Sequence, residues 1–148
     1  MMTGTGPDQT EERLTLHSQL SEIARLPVWI ESIASRHPIP GDTQYAMNLC
    51  LEEALANIIR HGYRGEADLP IRVCFTTPRP GHYLFIVEDD GPPFNPLDPP
   101  EFPALNPREE IRIGGQGIRL LRRFADTLDY EPASTGNRLR IGFSIANS

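Results

Sequence analysis

The stretch Glu53-Ala54-Leu55-Ala56-Asn57-Ile58-Ile59-Arg60-His61-Gly62-Tyr63 sets an acid and a carboxamide four residues apart within an apolar run. Four residues is just over one helical turn, so on a helix Glu53 and Asn57 share a face. The spacing predicts a helix capped by Asp42, running to about His61 and stopped by Gly62. Met47, Leu51, Leu55 and Ile58 form its apolar stripe, and Ala46, Cys50, Glu53 and Asn57 fill the adjacent sector. The polar pair therefore sits beside the buried stripe, not opposite it. Taken alone, the pair fits a semi-exposed polar face at least as well as an acid beside an oxygen ligand for a hard cation such as Mg²⁺. Arg60 and His61 suit either a phosphate or the negative end of the helix dipole.

Outward from this helix, the pattern reads β-α-α-β-β-loop-α-β-β. Leu14, Leu16, Ser18 and Leu20 alternate over Arg13–Leu20, which predicts a half-buried strand. Ile23, Leu26, Trp29, Ile30 and Ile33 recur at helical spacing after Ser21, an expected N-cap, with Pro27 set to kink or delay the helix. Ile71, Val73 and Phe75 mark a strand, and Pro78–Gly81 a turn. His82–Glu88 is apolar on both phases, which predicts a central strand covered on both sides. Asp90–Ile113 is broken by seven prolines and reads as a functional loop or lid, of which Pro92–Ile113 is expected to be poorly ordered alone and better ordered when a ligand binds. A short helix with Ile118, Leu121, Phe124 and Ala125 follows. The last hairpin has arms Thr127–Glu131 and Arg138–Ile145, joined by a turn over Pro132–Asn137. This order predicts an α+β, two-layer sandwich with helices on one face of a mostly antiparallel sheet.

Composition narrows the function. The chain has 148 residues, enough for one domain, over 13–146 after a tail at 1–12 expected to be disordered. Net charge is -6, which argues against direct nucleic-acid binding or a basic membrane-facing surface. All 14 cationic residues are arginine; without lysine there is no P-loop ending in Gly-Lys, no kinase-strand lysine and no Schiff base. Cys50 and Cys74 lie in apolar-periodic segments and read as buried free thiols. No signal-peptide pattern and no apolar run of about 20 residues is present, so the expected compartment is the cytoplasm.

Two further pieces carry chemistry. In Val87-Glu88-Asp89-Asp90-Gly91-Pro92-Pro93-Phe94, Asp89 continues the phase of Tyr83, Phe85 and Val87, so its carboxylate heads inward and needs a donor. An adenine amine would serve; a solvated strand-end turn is the plainer alternative. In Gly114-Gly115-Gln116-Gly117-Ile118, closely spaced glycines before a helix let backbone N–H groups approach phosphate.

Together, in this order, the pieces resemble the Bergerat-type ATP-binding fold of histidine kinases, gyrase-type ATPases and Hsp90. Within it the chain is most similar to bacterial anti-sigma factor serine/threonine kinases, whose Glu-Ala-x-x-Asn-x-x-x-His-Gly/Ala-Tyr stretch is matched by Glu53–Tyr63. The resemblance implies ATP and Mg²⁺ as cofactors, with Asn57 on the metal and Glu53 as catalytic base or activator. It implies adenine recognition by Asp89 with Gly91 allowing close approach. Nucleotide contacts are further expected from Arg60, His61, Phe94, Gly114, Gly115, Gln116, Gly117 and Ile118, and from Thr135 and Asn137 near the adenine. Arg108 and Arg112 are candidates for a lid cation. The implied activity is phosphorylation of a serine on a small anti-anti-sigma antagonist, with binding of a sigma factor; the rival is a nucleotide-sensing binding module without transfer. Members of the family often dimerise, so a homodimer is an expectation of the resemblance alone.

Overall fold

In the computed structural model, residues 11–95, 97 and 116–145 are described, the first four of α3 by backbone only. Five strands form one sheet in the order β1-β2-β3-β5-β4: β1 Glu11–His17, β2 Pro70–Arg79, β3 His82–Asp89, β4 Thr127–Ala133 and β5 Gly136–Ser144. Every neighbouring pair is antiparallel. Among the described residues three α-helices accompany it: α1 Arg25–Ala34, α2 Gly41–Asn57 and α3 Gln116–Phe124.

Alternation along the strands decides which face is covered. Leu16 pairs with Ile71, Val73 with Val87, Phe75 with Phe85, and Val87 with Leu139, and all of these are buried. The helices supply the opposing layer: Leu26, Ile30 and Ile33 from α1, Met47, Leu51, Ala54 and Leu55 from α2, and Leu121 from α3. Burying one such Leu or Ile contributes about 1.5–3 kcal/mol. Trp29 of α1 meets Phe85 edge-on at 6.0 Å, and Phe124 of α3 meets Tyr45 of α2 at 6.5 Å.

The expected element order and the helices-on-one-face sandwich are found; several boundaries differ. β1 begins at Glu11, inside the expected tail, and ends at His17. Leu20 instead opens a 3-10 turn, Leu20–Ala24, and is half exposed. That turn displaces the helix start to Arg25, with Pro27 in its first turn, so Ser21 is not its cap. Asp42 lies in the first turn of α2, where its carboxylate accepts the Thr43 N–H at 2.9 Å; Pro40 holds the cap position. β2 continues through Arg79, confining the turn to Pro80-Gly81, and β4 and β5 reduce the last turn to Ser134-Thr135.

The second face of β3 is not covered by any described element. Leu84 and Ile86 are only half-buried there, and Ile86 lies opposite Arg140 of a ladder of ion pairs. In it Arg138 meets Glu88 at 2.6 Å and Glu131 at 2.9 Å, while Arg140 meets Glu131 at 2.5 Å. Cys50 is buried and Cys74 half-buried, and both are free thiols. Burial pushes Cys50 up to about 12, with the nearby Glu53 charge adding to it. No described helix is long and apolar enough to cross a membrane.

Candidate functional site

The site forms where the C-terminal end of α2 meets the C-terminal end of β3. Regular α-helical geometry ends at Asn57, and the helical run ends at Gly62, where the sequence places its stop. Beyond Asn57 it widens into one π-type turn, Ile58–Gly62, in which the Tyr63 N–H reaches back five residues to the Ile58 carbonyl at 2.6 Å. The turn away from the helix comes later, at Arg64 (φ 55) and Gly65 (φ 79). A Cβ on Gly62 would make only ordinary contact with the Phe94 ring, at 3.5 Å, so packing does not demand glycine there. π-turns inside α-helices recur at functional sites.

On the α2 side, Glu53 and Asn57 are both half-buried, as their place beside the stripe predicts. Among the described residues neither makes a side-chain hydrogen bond or ion pair. Arg60 and His61 are exposed on the π turn, and the His61 ring lies 6.1 Å from that of Phe94.

The β3 side is bonded throughout. Asp89 is 3% exposed, its side chain directed inward by strand phase. Its Oδ1 accepts the Gly91 N–H at 2.8 Å and the Asn137 amide at 3.0 Å. Both bonds fall on one oxygen, so Oδ2 remains an acceptor without a donor among the described residues. Asn137 faces Asp89 across the β3–β5 ladder and is itself buried. Its Nδ2 also donates to the Pro92 carbonyl at 3.0 Å, and its Oδ1 accepts the Phe94 N–H at 2.9 Å and the Tyr130 hydroxyl. Donors on one side and acceptors on the other fix the orientation of this amide.

Gly91 is closely packed: a Cβ would lie 3.2 Å from Asp89 Oδ1 and from two Tyr63 ring carbons, so these neighbours would have to give way. Tyr63 is buried, its hydroxyl donating to the Pro70 carbonyl and accepting the Asp90 N–H, each at 2.7 Å. Burial, the largest influence, raises its pKa, with the Asp89 and Asp90 charges adding to it. Arg72 grips the exposed Asp90 carboxylate at 2.8 Å, and that hydrogen bond holds the carboxyl below its usual range.

Of the sequence-predicted residues, Glu53, Asn57, Arg60 and His61 share one end of the site, and Asp89, Gly91 and Phe94 the other. Asn137 belongs with Asp89, while Thr135 is exposed in the hairpin turn. Gln116, Gly117 and Ile118 form the first turn of α3. Gly114, Gly115, Arg108 and Arg112, and all but a few residues of the expected lid, lie outside the described residues. Tyr63 belongs to the quoted motif without a role, and Asn137 is expected near the adenine but not as the partner of Asp89. The β3–β5 register, which a sequence does not print, is what reveals it.

Among the described residues no three His, Cys, Asp or Glu side chains cluster as a cage. An unbonded carboxamide next to an unbonded carboxylate fits Mg²⁺, which keeps waters and takes other ligands from substrate phosphates.

The chain is similar to the serine/threonine-protein kinase BtrW of Bordetella bronchiseptica, with 28% identity over 113 residues, 76% of this chain and 79% of BtrW. In space it is similar to the histidine kinase domain of a blue-light activated histidine kinase from Erythrobacter litoralis EL346. The TM-score is 0.53 and the identity 22%, over 84% of this chain and 60% of that one. That second likeness is one of fold. The sequence pattern of the histidine kinase-like ATPase domain matches residues 16–143, and the chain belongs to that family.

Proposed function

We propose that this chain is an ATP-dependent protein-serine kinase of the anti-sigma type, which phosphorylates a small anti-anti-sigma antagonist and binds a sigma factor. The observation that carries the reading is the pairing of two unlike ends. Asp89 offers a fixed acceptor to an adenine amine, while Glu53 and Asn57 offer oxygen atoms that the described protein leaves unused. The likeness to BtrW, named a serine/threonine-protein kinase, supports the kinase class.

In this reading Asp89 Oδ2 accepts from the adenine amine and Gly91 admits the base edge. Asn57, with Glu53 beside it, would hold Mg²⁺ against the phosphates, where the ion supplies charge neutralisation. Arg60 and His61 face the phosphate end. Glu53 orients the serine hydroxyl and receives its proton. Phosphoryl transfer has a loose transition state, so positioning outweighs base strength and an ordinary carboxylate suffices.

The test is incubation with γ-labelled ATP and candidate antagonist proteins. Label on an antagonist serine is the expected outcome. Nucleotide-dependent complex formation without label would replace the kinase by a nucleotide-sensing binding module. Absence of any heat or thermal shift at millimolar ADP and ATP would remove the nucleotide reading itself.

A further inference from the structure

Tyr63 joins the two ends of the site. The π turn adds a residue to the end of α2 and swings the phenol beneath the end of β3, where the Asp90 N–H donates to its hydroxyl at 2.7 Å. The ring backs onto Gly91. On the other side of the same strand end lies Gly136, at φ +129, so close that an added Cβ would overlap the Asp89 carbonyl oxygen. The Asp89–Asp90 peptide is thus gripped between the end of α2 and the β4–β5 hairpin. The Asp89 carboxylate is held by different atoms, the Gly91 N–H and the Asn137 amide. Tyr63 therefore sets where the base-reading strand end stands relative to α2, not whether the carboxylate is formed.

We infer that Tyr63 is a positioning residue that fixes the span between the Asn57 face of α2 and the Asp89 carboxylate, so that one ligand can engage both. This rests on the nucleotide reading above. A ligand that bridges two subsites gains from the second only as far as their spacing is set in advance. Loosening the span should penalise a ligand that needs both ends and spare one that uses only the base end. A residue acting only on overall stability would not separate the two.

The experiment is calorimetry of Mg·ADP and of adenosine with the wild type and with Tyr63→Phe, which keeps the ring against Gly91 and removes the hydroxyl. Mg·ADP should weaken about tenfold, the equivalent of one buried hydrogen bond, and adenosine by no more than about twofold. Equal losses for both ligands, or none, would overturn the role of Tyr63 while leaving nucleotide binding in place. A wild type that binds neither ligand would overturn both readings. Should Tyr63→Phe fail to fold, exchange of the Asp90 amide in the wild type decides. Saturating Mg·ADP should slow it more than saturating adenosine, and equal slowing would overturn the inference.

Discussion

At the β3 end of the site, Asp89, Gly91, Asn137 and Tyr63 are bonded to one another or to the backbone around them. At the α2 end, Glu53 and Asn57 have no side-chain partner among the described residues. One end is held by the protein before any ligand arrives, and the other has its polar atoms in reserve. Groups already bonded within the fold contribute to stability, and their loss leaves buried partners unpaired. Groups in reserve contribute little to folding and can change function with little effect on it. Substitutions at the two ends should therefore separate: function without stability at α2, both together at β3.

The largest effects test the α2 end. Glu53→Ala should lower phosphoryl transfer by about 10²–10⁴-fold, the usual contribution of a positioned acid or base. Nucleotide affinity should hold, and unfolding free energy should stay within about 0.5 kcal/mol of wild type. Asn57→Ala should weaken Mg·ATP binding and abolish transfer together, again with little change in urea unfolding. Glu52→Ala, rotated by about 100° on the helix, is the control and should alter neither. Transfer at an unchanged rate by Glu53→Ala would take Glu53 out of the mechanism. A large stability loss in either variant would show that this end is built into the fold after all.

The β3 end should respond in the opposite way. Asn137→Ala removes one of the two donors to Asp89 Oδ1 and the acceptor that the Phe94 N–H and the Tyr130 hydroxyl share. It should cost roughly 1–3 kcal/mol in urea unfolding, with a parallel loss of ADP affinity. Asp89→Asn should weaken ADP by a similar amount, roughly 1–3 kcal/mol, because one amide cannot both accept from Gly91 and Asn137 and offer a second oxygen to the base. An Asn137→Ala protein as stable as wild type would erase the contrast between the ends.

The sequence discloses these two ends unequally. Glu53 and Asn57 are legible because helical spacing relates residues within one element. The inward course of Asp89 is legible for the same reason, from the alternation of Tyr83, Phe85 and Val87. What holds Asp89 is not, because the Asp89–Asn137 pairing depends on the register between strands far apart in the chain. The π turn was also hidden. Gly62 does end the helical run, but the run widens before it, and the non-glycine Arg64, not Gly62, takes the left-handed backbone. On β3, Leu84 and Ile86 suggested a second covered face. Instead Ile86 stands opposite Arg140 of the ion-pair ladder, whose long stem can shade it, and no described element adds a further layer there.

The smallest expected effect concerns the ionic brace beside the β3 end. Arg72 meets Asp90 with two contacts, at 2.8 and 3.3 Å, and both side chains are 43% exposed. The Arg72 hydrogen bond, with its charge adding, lowers the Asp90 pKa against a partial opposing effect of burial. A carboxyl lowered in the folded state contributes stability above its unfolded pKa of about 3.9, and loses it as pH falls through the lower folded value. For so exposed a pair the contribution should be only about 0.2–1 kcal/mol, and less in high salt. Arg72→Ala and Asp90→Asn should each show that small deficit near neutral pH in urea unfolding. Their stabilities should approach the wild type as the pH drops below about 4. A deficit that persists unchanged at the lowest pH would assign the loss to packing of the arginine stem. Neither substitution touches the Asp90 N–H bonded to Tyr63, so Mg·ADP affinity should stay within about twofold. If Asp90→Asn cost more than Asn137→Ala, charge and not the neutral bonds of Tyr63 and Asn137 would be what holds the base-reading end.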